Sequence, residues 1–296
     1  MPETSPTPGR ITARLYTDPS CPFGYSASPA LRTIEWRYRD QIDWQLVMIG
    51  LSGPEPPSHG MSTTTIAGYW IDLREKHGMP FAAEPKLRDN TSYRACLAII
   101  ASKLIQPGSE WRTLRALQLL QFNSPLLLDD DEQLRAALSS VEGLDADRII
   151  DSLDSDEVQE AYRADYAETR TAGGGSTELQ GKAADSPEGV RYTAPSIIFE
   201  AGLLRLEVGG FQPVDAYDIA IANLDPTLNR AAPADSPLDA LVLYPSGLTT
   251  QEIAAIMAGN NQVPDRAGAE HDLVELQGAG KVKRIAMGDD ALWLAA

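Results

Sequence analysis

Cys21-Pro22-Phe23-Gly24 is where this chain puts a nucleophile at a spacing that can do chemistry. The apolar run from Ile11 to Tyr16 precedes it, followed by the turn-like Thr17-Asp18-Pro19-Ser20. The stretch from Tyr25 to Trp36 reads as helix. The order is therefore strand, tight turn, then a cysteine at a helix start with proline just inside. Proline's fixed φ is already helical, and no N–H is needed at that position. A sulfur there faces unpaired N–H groups and the positive end of the helix dipole, both of which favour the thiolate. The second position of a C-x-x-C pair is Gly24, so no partner thiol stands there. Cys21 is thus expected to attack a disulfide or another electrophile alone, tuned by Pro22, Phe23 and Gly24. A resolving thiol then comes from solution or from another protein. Glutathione or a similar low-molecular-weight thiol is the natural co-substrate, and no tightly bound cofactor is expected.

The chain has one other cysteine. Cys96 lies at the centre of the apolar stretch Tyr93–Ala101 and reads as a core residue, not as the resolving thiol. Phe23 and Tyr25 are placed to line a pocket beside the sulfur. Tyr69, Trp70 and Trp111 sit at helical spacing and read mainly as core. Arg88 and Arg94 are candidates for holding a carboxylate, although a solvated face suits them better. His59, His77 and His271 are scattered without ligand spacing, so no metal is expected and the three read as loop or surface residues. Gly173-Gly174-Gly175 lacks the Lys-Ser/Thr that follows a phosphate loop. Asp129-Asp130-Asp131-Glu132 reads as a helix start.

These residues need a frame. Ile42–Met48 reads as a second strand, and the Pro/Ser/Gly-rich stretch 50–60 as a loop. A run of helices is expected from about 62 to 171, followed by a mobile Gly-rich loop to Gly189. Two strands then follow, Ser196–Glu200 and Leu203–Val208, turning at Ala201-Gly202. Val214–Leu224 reads as a closing helix. The first 225 residues are therefore β-α-β, a helical block, then β-β-α. Residues 226–237 read as a linker. Beyond it, Leu241–Leu243 reads as a short strand or helix end, and Thr249 caps a helix with Glu252 at capping-box distance. Another helix at Arg266–Gln277 and a hairpin between Gly280 and Leu294 complete residues 238–296, a pattern that resembles a winged helix-turn-helix.

Hydrophobic residues at 43% and charged residues at 23% are ordinary for a globular chain. The net charge of −17 argues against unaided binding to nucleic acid or to an anionic membrane. The C-terminal unit from Ser236 carries eight acids against four bases, a net −4, so packing or homodimer formation suits it better than DNA reading. Residues 1–10 are polar, without a basic start or an apolar core. They read as a disordered start and not as a secretory signal. Together with only two cysteines, this points to the cytoplasm.

The motifs Asp18-Pro19-Ser20-Cys21-Pro22-Phe23-Gly24-Tyr25 (D-x-x-C-P-x-x-Y), Asn90-Thr91 and Thr193-Ala194-Pro195-Ser196-Ile197-Ile198-Phe199 resemble the DsbA-like thioredoxin-fold superfamily. Their order is most similar to the branch of FrnE-type proteins, kappa-class glutathione transferases and 2-hydroxychromene-2-carboxylate isomerases. The resemblance covers roughly residues 11–225. It implies an α/β thioredoxin-like fold with a large helical insertion, here extended by the small winged-helix-like unit. It also implies that the Ala194–Pro195 bond is cis and faces Cys21. Thr193, Ala194, Pro195 and Tyr25 would then contact a small thiol or disulfide substrate. The expected activity is thiol-disulfide exchange or thiol transfer through Cys21. A kappa-type transferase or isomerase, or a non-catalytic binder that keeps the fold, is the alternative. The chain departs from the dithiol members at Gly24, in the Gly-rich segment before Pro195 and in the C-terminal unit.

Overall fold

The structure is a computed structural model describing residues 11–56 and 60–296; the expected disordered start (1–10) and His59 lie outside them. Strand β1 (Ile11–Thr17) is followed by α1 (Pro22–Ser26), α2 (Ser28–Tyr38) and β2 (Ile42–Met48). The two strands pair in parallel from Ile11↔Ile42 to Thr17↔Met48. A parallel pair needs a crossover, and α1 with α2 supplies it.

The helical block consists of α3 (Thr63–His77), α4 (Tyr93–Ile105), α5 (Glu110–Asn123), α6 (Asp131–Ser139), α7 (Ala146–Asp151) and α8 (Asp156–Glu168). Short side chains start several of these helices, as where the carboxylate of Asp130 accepts from Gln133 N at the head of α6. Strands β5 (Ser196–Ala201) and β6 (Leu204–Gly209) complete the sheet, which has the order β2-β1-β5-β6 with β5 antiparallel to β1. The α10 helix (Val214–Leu224) closes this part. The expected order of elements is present.

Alternation along the central strands divides the core. Ala13, Leu15, Ile197 and Phe199 pack with α2, α4, α5 and α10 in the main cluster. Tyr16, Val47 and Ile198 face the other side. The segment read as a mobile loop covers that second face, which corrects the reading. It forms α9 (Ser176–Leu179) and a hairpin of β3 (Ala183–Ser186) and β4 (Gly189–Tyr192). Ala172, Val190 and Tyr192 pack on Tyr16 and Ile198, and Glu207 accepts from Thr177 N (3.0 Å) and Thr177 Oγ1 (2.8 Å). A few apolar contacts and one carboxylate hold what the glycine content alone describes as free.

Residues 226–236 carry no helix or strand, but they are bound along α2. Ala231 N donates to Arg37 O (2.9 Å), and the Trp36 indole donates to Ala232 O (2.7 Å). The remaining elements are α11 (Pro237–Val242), β7 (Leu248–Thr249), α12 (Thr250–Met257), α13 (Arg266–Gly278), β8 (Val282–Met287) and β9 (Asp290–Ala295). Leu241–Leu243 is thus a helix end. A separate sheet forms in the order β7-β9-β8 over its own core around Ile253, Leu273 and Trp293. Among the described residues no helix is long and apolar enough to cross a membrane.

Candidate functional site

Cys21 caps α1. Its backbone is extended (φ −78°, ψ 113°), its N–H donates to Asp18 O (3.0 Å), and Gly24 N donates to Sγ at 3.4 Å. Pro22 occupies the first helical turn. Across the gap the thiol donates to Ala194 O at 3.2 Å, and the Ala194–Pro195 bond is cis. The backbone at Ala194 is fixed from both sides. Thr193 Oγ1 donates to Lys182 O (2.7 Å), and Ser196 Oγ donates to Thr193 O (2.6 Å) while accepting from Gly210 N (3.1 Å). The strand-turn-helix and the Thr193-Ala194-Pro195 segment, far apart in sequence, therefore meet at one sulfur.

The electrostatics differ from the expectation of a ready thiolate. Cys21 is only 5% exposed, and burial pushes its thiol up to about 12. The N–H groups of Gly24 and Phe23 act the other way, as does Arg191, while the charge of Asp18 adds to the rise. The helix-start contacts read from the sequence are present, but removal of water outweighs them.

Asp18 is wholly buried and organises the turn. It accepts from Ser20 N (2.9 Å), Ser20 Oγ (2.7 Å), Leu51 N (2.8 Å) and Ser92 Oγ (3.0 Å), which joins the Cys21 turn to the start of α4 and to the chain after β2. Cys96 Sγ lies 3.6 Å from the same carboxylate, fully buried, its thiol raised by burial first and by Asp18 second. It is a core residue, as its sequence setting implies.

Tyr25 stands elsewhere than the expected substrate contact. It is fully buried, stacked on Phe122 (centroids 4.8 Å apart) with Phe81 at its edge (5.2 Å). Its hydroxyl donates to Pro80 O and accepts from Asn123 Nδ2, both at 3.1 Å, so it anchors α1 to the helical block and offers no surface to a ligand. Trp70 belongs to the same cluster. Phe23, by contrast, is 37% exposed and leans on Phe211 and His77.

That places His77, read as a loop or surface residue, at the end of α3 beside Phe23. Its ring lies 4.7 Å from that of Phe211, and burial lowers its pKa. His271 is exposed, with Nδ1 at 3.0 Å from Ala267 O. Arg88 and Arg94 are engaged by acids of the helical block, Arg88 with Asp129 (2.9 Å) and Arg94 with Asp154 (2.6 Å) and Asp131. The cation that does act on the Cys21 sulfur is Arg191, on β4. Arg170 is its neighbour, its guanidinium 3.3 Å over the ring of Tyr166. Neither arginine carries a local signal of this role beyond the closeness of Arg191 to Pro195 in the chain.

Several known proteins share this arrangement of elements. No family model matches the chain. The ClpXP adapter protein SpxH of Shouchella clausii is 28% identical over 165 residues, which is 55% of each chain, so the match spans about half of that relative. A candidate protein disulfide isomerase of Nitrosomonas europaea superposes over 72% of this chain and 97% of its own, with a TM-score of 0.56 at 17% identity. A candidate DsbA oxidoreductase of Streptomyces coelicolor does so over 76% and 100%, at 0.54 and 17%. The cytosolic disulfide reductase DsbM of Pseudomonas aeruginosa, in its structure with GSH, covers 72% and 98%, at 0.51 and 19%. The fold is thus the DsbA-like thioredoxin fold, carrying a large helical insertion and a separate C-terminal sheet.

Proposed function

We propose that this protein is a thiol-disulfide oxidoreductase or thiol transferase that works through the single cysteine Cys21 with an external small thiol. The observation that carries the reading is the placement of Cys21 Sγ at the start of α1, 3.2 Å from the carbonyl of Ala194 beside the cis Pro195. A strand-like backbone edge at that point can hold an extended thiol or disulfide against the sulfur. In the exchange step the thiol proton leaves to solvent, and the Cys21 thiolate attacks one sulfur of a small disulfide. The old S–S bond breaks and one thiolate departs, leaving a mixed disulfide on Cys21. An external thiol attacks the sulfur linked to Cys21 in that bond and returns Cys21 to the thiol. Each cycle therefore consumes one external thiol and one disulfide and releases one thiol and one new mixed disulfide. A second external thiol that attacks the released mixed disulfide completes the reduction of the original one. Gly24 leaves no local thiol to intervene. The N–H groups of Gly24 and Phe23 receive the sulfur's charge whenever it forms.

Glutathione is the proposed small thiol, supported by the likeness to DsbM, whose structure includes GSH. The reducing cytoplasm is the proposed compartment, since such a cycle draws on a thiol pool. Residues 11–225 are read as the DsbA-like domain, 226–237 as a connector and 238–296 as a winged-helix-like domain. The test is incubation with oxidised glutathione, followed by mass spectrometry of the intact chain and of the Cys21→Ser variant. The reading expects one glutathione adduct, on Cys21, that reduced glutathione removes. No adduct, or an adduct that persists in Cys21→Ser, refutes it.

A second reading has its own observation. The relative SpxH is by name an adapter for ClpXP, and a buried, protonated Cys21 suits a chain that keeps the fold for binding. If Cys21→Ser leaves every cellular effect of the protein intact, the adapter reading replaces the enzymatic one.

A further inference from the structure

A cleft of about 780 Å³ that Cys21 does not line lies between the helical insertion and the C-terminal sheet. Leu119, Leu120 and Leu126 form one wall, and Ile285, Met287 and Leu292 of the β8–β9 hairpin form the other. That volume and apolar lining are those of a small-molecule site, and such sites favour the seam between two packed units.

Its polar groups are few and unfinished. Arg115 is 7% exposed and gives Nη2 to Glu252 (2.6 Å), while Nη1 is buried without a partner. Asn123 gives Nδ2 to the Tyr25 hydroxyl, while Oδ1 is likewise buried and unpaired. Buried polar atoms are almost always satisfied, so two orphans on residues that line one cleft mark where a small side-chain shift would bring an unpaired polar atom to a ligand. Arg112, also on the cleft, donates to the carbonyl of Glu142 (2.7 Å) and makes no ion pair with a carboxylate among the described residues. The one acid among the lining residues, Glu142, is solvent-exposed. The cleft therefore presents two guanidinium groups in a chain whose net charge is −17.

We propose that this cleft binds an amphipathic organic acid, its apolar body between the α5 leucines and the β8–β9 hairpin and its carboxylate against Arg115 and Arg112. Once a small side-chain shift opens them to the cleft, Arg115 Nη1 supplies a charge-assisted hydrogen bond to the acid, and Asn123 Oδ1 accepts from a hydroxyl of the ligand or from a water carried in with it. The site neither contains nor requires Cys21, so it stands whether or not the thiol chemistry does.

Calorimetric titration of the full chain with decanoate tests the assignment, with decanol and decyltrimethylammonium as neutral and cationic probes. Decanoate is expected to bind at one site, at least about tenfold more tightly than either of the other two. Arg112→Gln is expected to weaken it roughly tenfold. Ala116→Trp fills the cleft from α5 and Ile285→Trp fills it from the exposed face of β8; both should abolish binding. Should Ala116→Trp fail to fold, Ile285→Trp decides, since Ile285 is 49% exposed and sits on a hairpin surface. Absent binding, equal binding of decanol, or decanoate binding undiminished by the filling variants overturns the proposal.

Discussion

Gly24→Cys, which restores a dithiol motif, should destabilise this protein, and the reason lies on β1. A Cβ built on Gly24 falls 2.7 Å from Thr17 Oγ1 and 3.5 Å from Cys21 Cβ. The first distance is several tenths of an ångström inside ordinary contact, so something must move. Thr17 is 2% exposed at the end of β1, paired with Met48, and its carbonyl accepts from Ile49 N at 2.9 Å, so its backbone is held. Its β-branched side chain has little rotameric freedom, and rotation would turn a methyl or hydrogen toward the new atom. Overpacking of this kind costs about 1–3 kcal/mol. Urea unfolding of Gly24→Cys under reducing conditions should show that loss as a lower midpoint at unchanged slope. Thr17→Ala removes the obstruction, so the double variant Thr17→Ala/Gly24→Cys should lose less than the sum of the single variants. The coupling should be about 1 kcal/mol or more. A Gly24→Cys protein as stable as the wild type, or single losses that simply add, refutes the argument that Thr17 keeps position 24 free of a side chain.

Three more outcomes follow from buried charge. With its thiol pushed up to about 12, Cys21 should be alkylated slowly at pH 7, the rate rising about tenfold per pH unit well beyond pH 9; a plateau by pH 8 in iodoacetamide kinetics would contradict the burial argument. Lys86, 5% exposed with Nζ donating to the Ser124 (2.9 Å) and Leu126 carbonyls, is pushed down to about 7 by burial, against the pull of Glu84. The unfolded chain then holds more protons than the folded one between about pH 7 and 10.5, so this residue makes stability rise with pH by at most about 5 kcal/mol. Lys86→Met should flatten that rise in denaturation curves measured at stepped pH. Glu252→Gln leaves the Arg115 guanidinium buried without its counter-charge and should cost about 3–5 kcal/mol at pH 7. Although burial raises the Glu252 carboxyl, Arg115, Arg32, Ser28 and Thr249 together hold it below its ordinary value. Its contribution is thus present above about pH 4.5 and lost on acidification through the lower folded value, so the variant should differ least from wild type in acid.

The features legible in the sequence are those whose cause is local. The turn from β1 into Cys21 is written in Pro19, Pro22 and the apolar run before them. The hairpin at Ala201-Gly202 and the capping box between Thr249 and Glu252 are likewise short-range patterns, and both are present. The meeting of Cys21 with Ala194 and Pro195 was legible only through the family resemblance, since no local pattern joins residues 173 apart. The cover over Tyr16 and Ile198 was missed because three glycines mask the anchoring by Glu207. Arg191 and His77 escaped for a related reason, since each reaches the site from a separate element through tertiary packing. Tyr25 misled because spacing puts it near Cys21, whereas its ring belongs to the Phe81–Phe122 cluster.

Glu252 shows why the C-terminal unit is more than an appendage to the thiol site. The carboxylate closes the capping box of α12 by accepting from Thr249 N at 2.7 Å. The same group accepts from Arg115 on α5 and from Ser28 at the head of α2, the helix that continues from α1. Thr249 in turn reaches Met79 Sδ at 3.4 Å, next to the Pro80 carbonyl that receives the Tyr25 hydroxyl. One residue after position 225 thus holds the head of α2 behind Cys21 and the arginine that lines the cleft. A chain ending at Leu224 would expose the Trp36 side chain and leave Arg115 charged and unpaired beneath it. The frame that presents the sulfur is therefore completed by the C-terminal unit, whatever that unit binds.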